Sequence, residues 1–203
     1  MLRGAATASS IELGRPVTVG EVRAAAEDGA VVEPVVRGAL RAYVELGSLV
    51  EVWRQAPSQA LARLHTLAGR DLVPADELGR PRAGESTDRL AQLAEVLATT
   101  RAPALVVAAV VHGELATLRP FGSADRVVAM AASRLVLVER GLDPGGYAVV
   151  EVGHQDRAED EAALQAFTSG SAEGQATWVL HYGESVRAGA REALAIAESI
   201  LRG

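Results

Sequence analysis

The chain of 203 residues contains no cysteine, so disulfide bonds and metal sites built on thiolates are excluded. Aromatic residues are also scarce, at 3% of the sequence, although the hydrophobic fraction is 49%. The core must therefore be built mainly from alanine, valine and leucine. Small aliphatic side chains at helical spacing let helices approach one another closely, and this composition favours an all-α protein.

Positive charge and long apolar runs are lacking as well. The 20 basic residues are outnumbered by 26 acidic ones, which gives a net charge of −6 and argues against nucleic acid or an anionic membrane as a partner. No apolar run reaches the roughly 18 residues that a transmembrane helix needs. The first ten residues contain no hydrophobic region typical of a signal peptide, so we expect a cytoplasmic protein.

The length of the chain fits a single domain with a sizeable core. Residues 1–16 are rich in alanine, serine and glycine, and we expect them to be loosely ordered. Residues 17–203 are predicted to form the helical domain. Its first helix is expected over Val19–Asp28, where Thr18 and Glu21 have the spacing of a capping box.

Longer helices are predicted from apolar periodicity together with start and stop signals. They are expected over Glu33–Gln55, Pro57–Gly69, a segment capped by Ser86 or Thr87, Ala102–Leu118, Asp125–Arg140, Glu159–Thr168 and Gln175–Leu201. Asp71–Gly84 contains two prolines and two glycines, which predicts a surface loop. Tyr147–Val152 alternates weakly, and its pattern fits a strand and a helix equally well.

The stretch His112–Arg140 reads as a helix, a short loop and a second, strongly apolar helix. Pro120 cannot continue the first helix, because it has no backbone N–H and clashes with the preceding turn. Gly122 and Ser123 suit a tight connection, and Ser123 or Asp125 is expected to cap the second helix. A loop that leads into a buried helix N-terminus is a candidate anion site, since free N–H groups and the helix dipole attract negative charge.

Residues 119–129 resemble the signature of the Fic/Doc family, in which His-Pro-Phe is followed by an acidic residue, a Gly-Asn-Gly-Arg loop and a second arginine. Pro120, Phe121, Arg126 and the helix–loop–helix frame are retained. The resemblance implies an all-α, Fic-like helical bundle around two antiparallel central helices. It also implies a nucleotide-binding loop, and a small β-hairpin flap at Leu78–Arg82, which Pro81 would weaken.

The residues that carry the family's chemistry are absent from this sequence. The family's histidine is a general base, but Arg119 stands in its place, and a guanidinium with a pKa above about 12 cannot accept a proton near neutrality. Gly122 replaces the acidic magnesium ligand, and Ala129 replaces the arginine that binds the γ-phosphate. Asp125, as a helix cap, would occupy N–H groups that a phosphate needs.

We therefore assign no catalytic residue, and we name the loop and its flanking arginines as candidate anion- or nucleotide-binding residues. These are Arg119, Phe121, Gly122, Ser123, Asp125 and Arg126. The two arginines suit a phosphate or a partner's carboxylate. The favoured alternative is that they pair with Glu114, Asp125 or other acids, because acidic residues outnumber basic ones.

Among the histidines, His112 is expected to be a hydrogen-bonded core residue, and a role as a stand-in base is the weaker alternative. His65 and His154 have no ligand partner three or four residues away, so no metal site is predicted. Trp178, His181 and Tyr182 share one helical face, which is more typical of a core or an interface than of a ligand pocket.

A second family motif is matched only formally. Fic proteins often carry an inhibitory Ser/Thr-x-x-x-Glu-Gly/Asn helix beside the nucleotide, and Ser169–Gly174 has that pattern. Its two glycines favour a loop instead. The expected partner of Glu173, the second arginine, is replaced by Ala129.

Three hypotheses follow for the function. The favoured one is a catalytically degenerate Fic-like protein that acts as a binding or regulatory module, without AMP-transferase activity and with an unidentified protein partner and ligand. The second is an AMP or phosphoryl transferase that uses ATP and magnesium with a displaced base such as His112. The third is a structural homodimer that associates near Trp178. The first is favoured because the base, the metal ligand and the γ-phosphate arginine are all missing.

Overall fold

The computed structural model describes residues 1–27 and 30–202. Helices are found at α1 (Leu2–Leu13), α2 (Val19–Ala24), α3 (Pro34–Gln55), α4 (Pro57–Gly69), α5 (Glu85–Thr99), α6 (Ala104–Leu118), α7 (Asp125–Glu139), α8 (Arg157–Thr168) and α9 (Ala172–Arg202), with a 3₁₀ helix at Val150–His154. These ranges contain no β-strand, which confirms the all-α prediction. None of the helices described is long and apolar enough to cross a membrane.

The two central helices are α6 and α7, which pack against each other and are joined by residues 119–124. Nearly every residue of α7 from Asp125 to Leu137 is buried, and α6 is apolar around most of its circumference. Helices α3, α1 and α4 cover α7 on one side, and α9 packs on α6, α8 and the 3₁₀ helix. The loop between α6 and α7 therefore lies where several elements meet.

Helix α2 begins with the capping box that the sequence predicts. The Thr18 hydroxyl accepts a hydrogen bond from the Glu21 N–H at 3.1 Å, and the Glu21 carboxylate accepts one from the Thr18 N–H at 2.8 Å. The helix ends at Ala24, and the predicted end at Asp28 lies outside the residues that the structure describes.

The prediction of a loosely ordered stretch at residues 1–16 is wrong, because most of it forms α1. Ala5 and Ala8 are completely buried where α1 packs on α3 and α7. The hydroxyl of Ser9 donates to the carbonyl of Ala5 at 2.8 Å, so a polar side chain is buried without an unpaired donor. The small residues that resemble a disordered terminus allow this helix to lie close to its neighbours.

The predicted flap hairpin at Leu78–Arg82 is absent from the structure. This segment forms turns, and Arg82 donates its backbone N–H to the Pro120 carbonyl at 2.8 Å. Pro81 has no N–H with which to continue a ladder, so only this one backbone bond ties the loop to the α6–α7 connection.

The ambiguous segment Tyr147–Val152 leads into the 3₁₀ helix. The Asp143 carboxylate accepts the N–H groups of Tyr147 and Ala148 at 3.0 and 2.9 Å. The following N–H, from Val149, donates to the Gly189 carbonyl of α9 at 3.1 Å. A side chain and a helix carbonyl thus satisfy the backbone groups that a strand would otherwise pair.

Trp178 is a core residue of the chain itself. Its side chain is completely buried, and its indole N–H donates to the Ala109 carbonyl of α6 at 2.7 Å. Gly113 makes this approach possible, since a Cβ there would lie 2.8 Å from the indole nitrogen. The core interpretation of Trp178 is confirmed, and the ring itself has no exposed surface; a homodimer that associates near it stays a prediction.

Candidate functional site

The connection between α6 and α7 adopts left-handed backbone conformations at both of its ends. Arg119, which ends α6, has φ +46°, and Ala124, which precedes α7, has φ +50°. Ala124 is therefore the N-cap residue, and it has no side chain with which to cap the helix. The predicted N-cap at Ser123 or Asp125 is wrong: Asp125 is already the first residue of the helix. Helix α5 likewise begins after Gly84 rather than at a Ser86 or Thr87 cap.

The Asp125 carboxylate turns back into the loop instead of capping the helix. It accepts the Phe121 N–H at 2.9 Å and is also hydrogen-bonded by the backbone of Gly122. Burial raises the pKa of Asp125 to about 6, against the opposing effect of these backbone bonds. At neutral pH an anion of the protein itself thus occupies the N–H groups of the loop.

A second carboxylate reaches the N-terminus of α7 from α1. The backbone N–H of Arg126 donates to Oε2 of Glu12 at 2.9 Å. Sequence reasoning missed this contact, because the two residues lie 114 positions apart and α1 was predicted to be loose. Glu173, in the formal inhibitory motif, is instead exposed in the first turn of α9.

The two flanking arginines have different surroundings. The Arg126 guanidinium lies 3.7 Å from Oδ2 of Asp160 and 3.8 Å from Oε1 of Glu161, both on α8. The side chain of Arg119 is exposed, and its carbonyl accepts a hydrogen bond from Arg82. Arg126 therefore pairs with acidic residues, as the favoured interpretation predicts, but its partners are not Glu114 or Asp125.

Phe121 and Ser123 are held by His65, which the sequence analysis did not associate with the loop. The rings of Phe121 and His65 are stacked with centroids 4.2 Å apart. Nδ1 of His65 accepts the Gly79 N–H at 3.0 Å, so Nε2 carries the hydrogen that is donated to the Ser123 hydroxyl at 3.0 Å. Burial lowers the pKa of His65 to about 4. The neutral ring connects α4, the 71–84 loop and residues 119–124, which we call the anion loop.

His112 lies in the core and does not reach the loop surface. Its side chain is buried against the rings of His154, Trp178 and Tyr182, with centroids 4.6, 5.3 and 5.7 Å away. Burial holds its pKa well below the ordinary value, with the nearby His154 acting in the same direction. The core assignment is right, but the expected hydrogen bond is missing at Nδ1, which has no partner. Its burial does not favour a role as the stand-in base, which stays a prediction.

Three of the four histidines in the sequence gather beside Arg126. Nδ1 of His154 lies 2.6 Å from Oδ1 of Asp160, and Nε2 of His181 lies 3.2 Å from the same oxygen. Burial alone would raise the pKa of Asp160, but the hydrogen bonds from both histidines outweigh burial and hold that pKa below its ordinary range.

The histidine–aspartate group could not be recognised from spacing. Its members are separated by 6 and 21 residues and lie on the 3₁₀ helix, α8 and α9. Only the packing of these three elements brings them together. A cavity of about 490 Å³ adjoins the group and is lined by Arg126, His154 and Asp160, with residues of α1 on its other side.

No protein-family profile and no curated protein sequence matches this chain. Two solved structures are similar to it in fold. A Fic family protein from Desulfovibrio desulfuricans G20 has a TM-score of 0.73 and 22% identity, and the match covers 97% of this chain and 65% of that one. Fic-1 from C. elegans has a TM-score of 0.78 and 18% identity, with coverages of 98% and 63%. The chain thus has a Fic-like fold and spans somewhat less than two thirds of each of these proteins.

Proposed function

We propose that this chain is a catalytically degenerate Fic-like protein that acts as a binding or regulatory module and does not transfer AMP. The observation that carries the proposal is the filling of the anion loop by the protein's own carboxylates. The Asp125 carboxylate accepts a hydrogen bond from the Phe121 N–H, and the Glu12 carboxylate accepts one from the N–H of Arg126 at the start of α7. A phosphate at this position would meet two negative charges in place of free donors.

The missing reactive groups support the same proposal. Arg119 offers no lone pair for a proton, and Gly122 offers no oxygen for magnesium. Ala129 is completely buried in α7, and its methyl group carries no positive charge with which to bind a γ-phosphate. These three losses are independent of one another, and each removes a different part of the transfer reaction.

A labelling experiment tests the proposal. Tag-free protein is incubated with a cell lysate, magnesium or manganese, and ATP labelled on either the α- or the γ-phosphate. We expect neither the wild type nor Glu12→Ala to add labelled protein to what the lysate alone shows, because opening the loop does not restore a base. Glu95→Ala, which removes an exposed carboxylate of α5, serves as the control.

Two outcomes would contradict the proposal. Labelling by the wild type would show an active enzyme. Labelling by Glu12→Ala alone would show an enzyme that α1 represses, which differs from a degenerate one.

The second candidate function is a nucleotide-dependent transferase that modifies protein hydroxyls with a non-standard base. One observation favours it: the partly exposed ring of His181 lies 3.2 Å from Asp160, which lines the same cavity as Arg126, and a carboxylate-oriented histidine is a common general base. On this alternative, ATP and magnesium are the cofactors. The wild type would then label, and His181→Ala would not.

A further inference from the structure

The histidine–aspartate group has the composition of a transition-metal site. Its ligand atoms, one from each of His154, Asp160 and His181, all lie within 4.8 Å of one another. Two imidazole nitrogens and one carboxylate oxygen are typical zinc ligands, whereas magnesium and calcium prefer sets made only of oxygen. Three protein ligands leave the fourth tetrahedral position for water or another ligand.

Two buried ring nitrogens of the same cluster have no hydrogen-bond partner. Nε2 of His154 and Nδ1 of His112 are both buried without a hydrogen-bond partner, and the centroids of the two rings are 4.6 Å apart. Buried polar atoms without partners are rare, and they often mark a place where an ion or water belongs.

We propose that His154, Asp160 and His181 bind one divalent ion of the zinc class, with the fourth ligand position facing the 490 Å³ cavity. An ion at Nδ1 of His154 moves the ring hydrogen to Nε2. That nitrogen then becomes a donor beside the His112 ring, whose centroid is 4.6 Å from that of His154.

The surrounding charges allow such an ion. Asp160 is ionised at neutral pH and supplies one negative charge. Arg126 lies 3.7 Å from the other carboxylate oxygen, Oδ2, so Oδ1 remains with the two histidines, and its guanidinium also faces Glu161. Zinc–ligand bonds of about 2.0–2.1 Å require the 2.6 Å separation of His154 and Asp160 to widen. His181, whose side chain is partly exposed, has room to adjust.

Calorimetry on the full-length chain without a histidine tag, after removal of metals with a chelator, tests this proposal. We expect zinc chloride to bind with a stoichiometry of one and to raise the melting temperature. Cobalt(II) at the same site should give visible absorption bands of a tetrahedral complex. In His181→Gln the zinc affinity should fall by more than about 100-fold, since even the loss of an outer-shell partner costs up to that much.

Two further variants make the result decisive. Asp160→Asn keeps the shape of a buried side chain and should weaken zinc binding as His181→Gln does. His65→Gln removes a buried histidine outside the group and should bind zinc like the wild type. Circular dichroism establishes that each variant is folded. Absence of zinc binding in the wild type, undiminished binding in folded His181→Gln, or loss of binding in His65→Gln would overturn the proposal.

Discussion

Asp125 shows how a single residue changes the character of the anion loop. In a phosphate-binding loop the backbone N–H groups are free, but here one side chain of the loop's own helix accepts two of them. Because burial disfavours the charged form of the carboxylate, its ionisation destabilises the native state, and its pKa is raised from the ordinary 3.8 to about 6. The raised pKa gives the stability of the protein a measurable dependence on pH.

The first prediction concerns Asp125→Asn. The native state binds the Asp125 proton more tightly than the unfolded chain, so protonation of Asp125 stabilises the native state. This contribution to the free energy of unfolding is complete below pH 3.8 and is lost as the pH rises through about 6. The amide resembles the protonated acid. The free energy of unfolding of the variant should therefore rise relative to the wild type over this window, by about 1–2 kcal/mol after allowance for solvent screening.

Urea denaturation between pH 4 and pH 7 measures this difference. Asp88→Asn, at an exposed position of α5, controls for the loss of one carboxylate. If the difference in the free energy of unfolding between Asp125→Asn and the wild type stayed constant across the window, the pKa of Asp125 would not be raised in the native state.

The second prediction concerns His65, whose lowered pKa makes the protein less stable at low pH, the opposite of the pH dependence that Asp125 gives. Its pKa is lowered from 6.5 to about 4, so the native state prefers the neutral ring, and stability is lost as the pH falls from 6.5 towards 4. His65→Gln should lower the free energy of unfolding at pH 7 by about 1–3 kcal/mol, because the Gly79 N–H and Ser123 lose their partner. The gap to the wild type should shrink at pH 4. Denaturation curves at the two pH values test this, and a gap that widens at low pH would contradict it.

Helix α1 is the element that sequence reasoning assessed least well. Alanine, serine and glycine read as a loose terminus when only composition is considered, but the same residues are small enough to pack a helix tightly on α3 and α7. This packing places the Glu12 carboxylate within hydrogen-bond distance of the Arg126 N–H, at the end of the 119–124 loop. By contrast, helices α3 and α4 were predicted closely, since proline at their first positions and a regular apolar face are local signals.

The third prediction tests close packing at the level of helix α9. Gly189 lies against the segment before the 3₁₀ helix, and a Cβ there would be 2.6 Å from backbone atoms of Val149 and Val150. Gly189→Ala should destabilise the protein by about 1–3 kcal/mol, because backbone must move. Gly183→Ala in the same helix meets nothing closer than 3.5 Å and should be neutral or stabilise by up to about 1 kcal/mol. Thermal unfolding of both variants measures the contrast, and equal effects would contradict the tight contact at Gly189.

At the scale of the whole molecule, the central helix–loop–helix and the all-α fold were predictable because a few local signals specify them. Pro120 ends one helix, and the apolar run from Val127 predicts a buried second one. The carboxylate of Glu12, the stacking of His65 on Phe121 and the histidine–aspartate group were not predictable. Each of them joins elements that are distant in sequence, and tertiary packing alone sets their separation.

The central claim is that this Fic-like fold has lost its nucleotide site, and calorimetric titration with ATP, with and without magnesium, tests it most directly. We predict no binding by the wild type at millimolar ATP, because Glu12 and Asp125 accept hydrogen bonds from N–H groups of the loop and Gly122 stands where the family carries its magnesium ligand. Magnesium-dependent binding at micromolar ATP that is lost in Arg126→Ala would contradict this account. It would show that the loop still holds a nucleotide despite its own carboxylates.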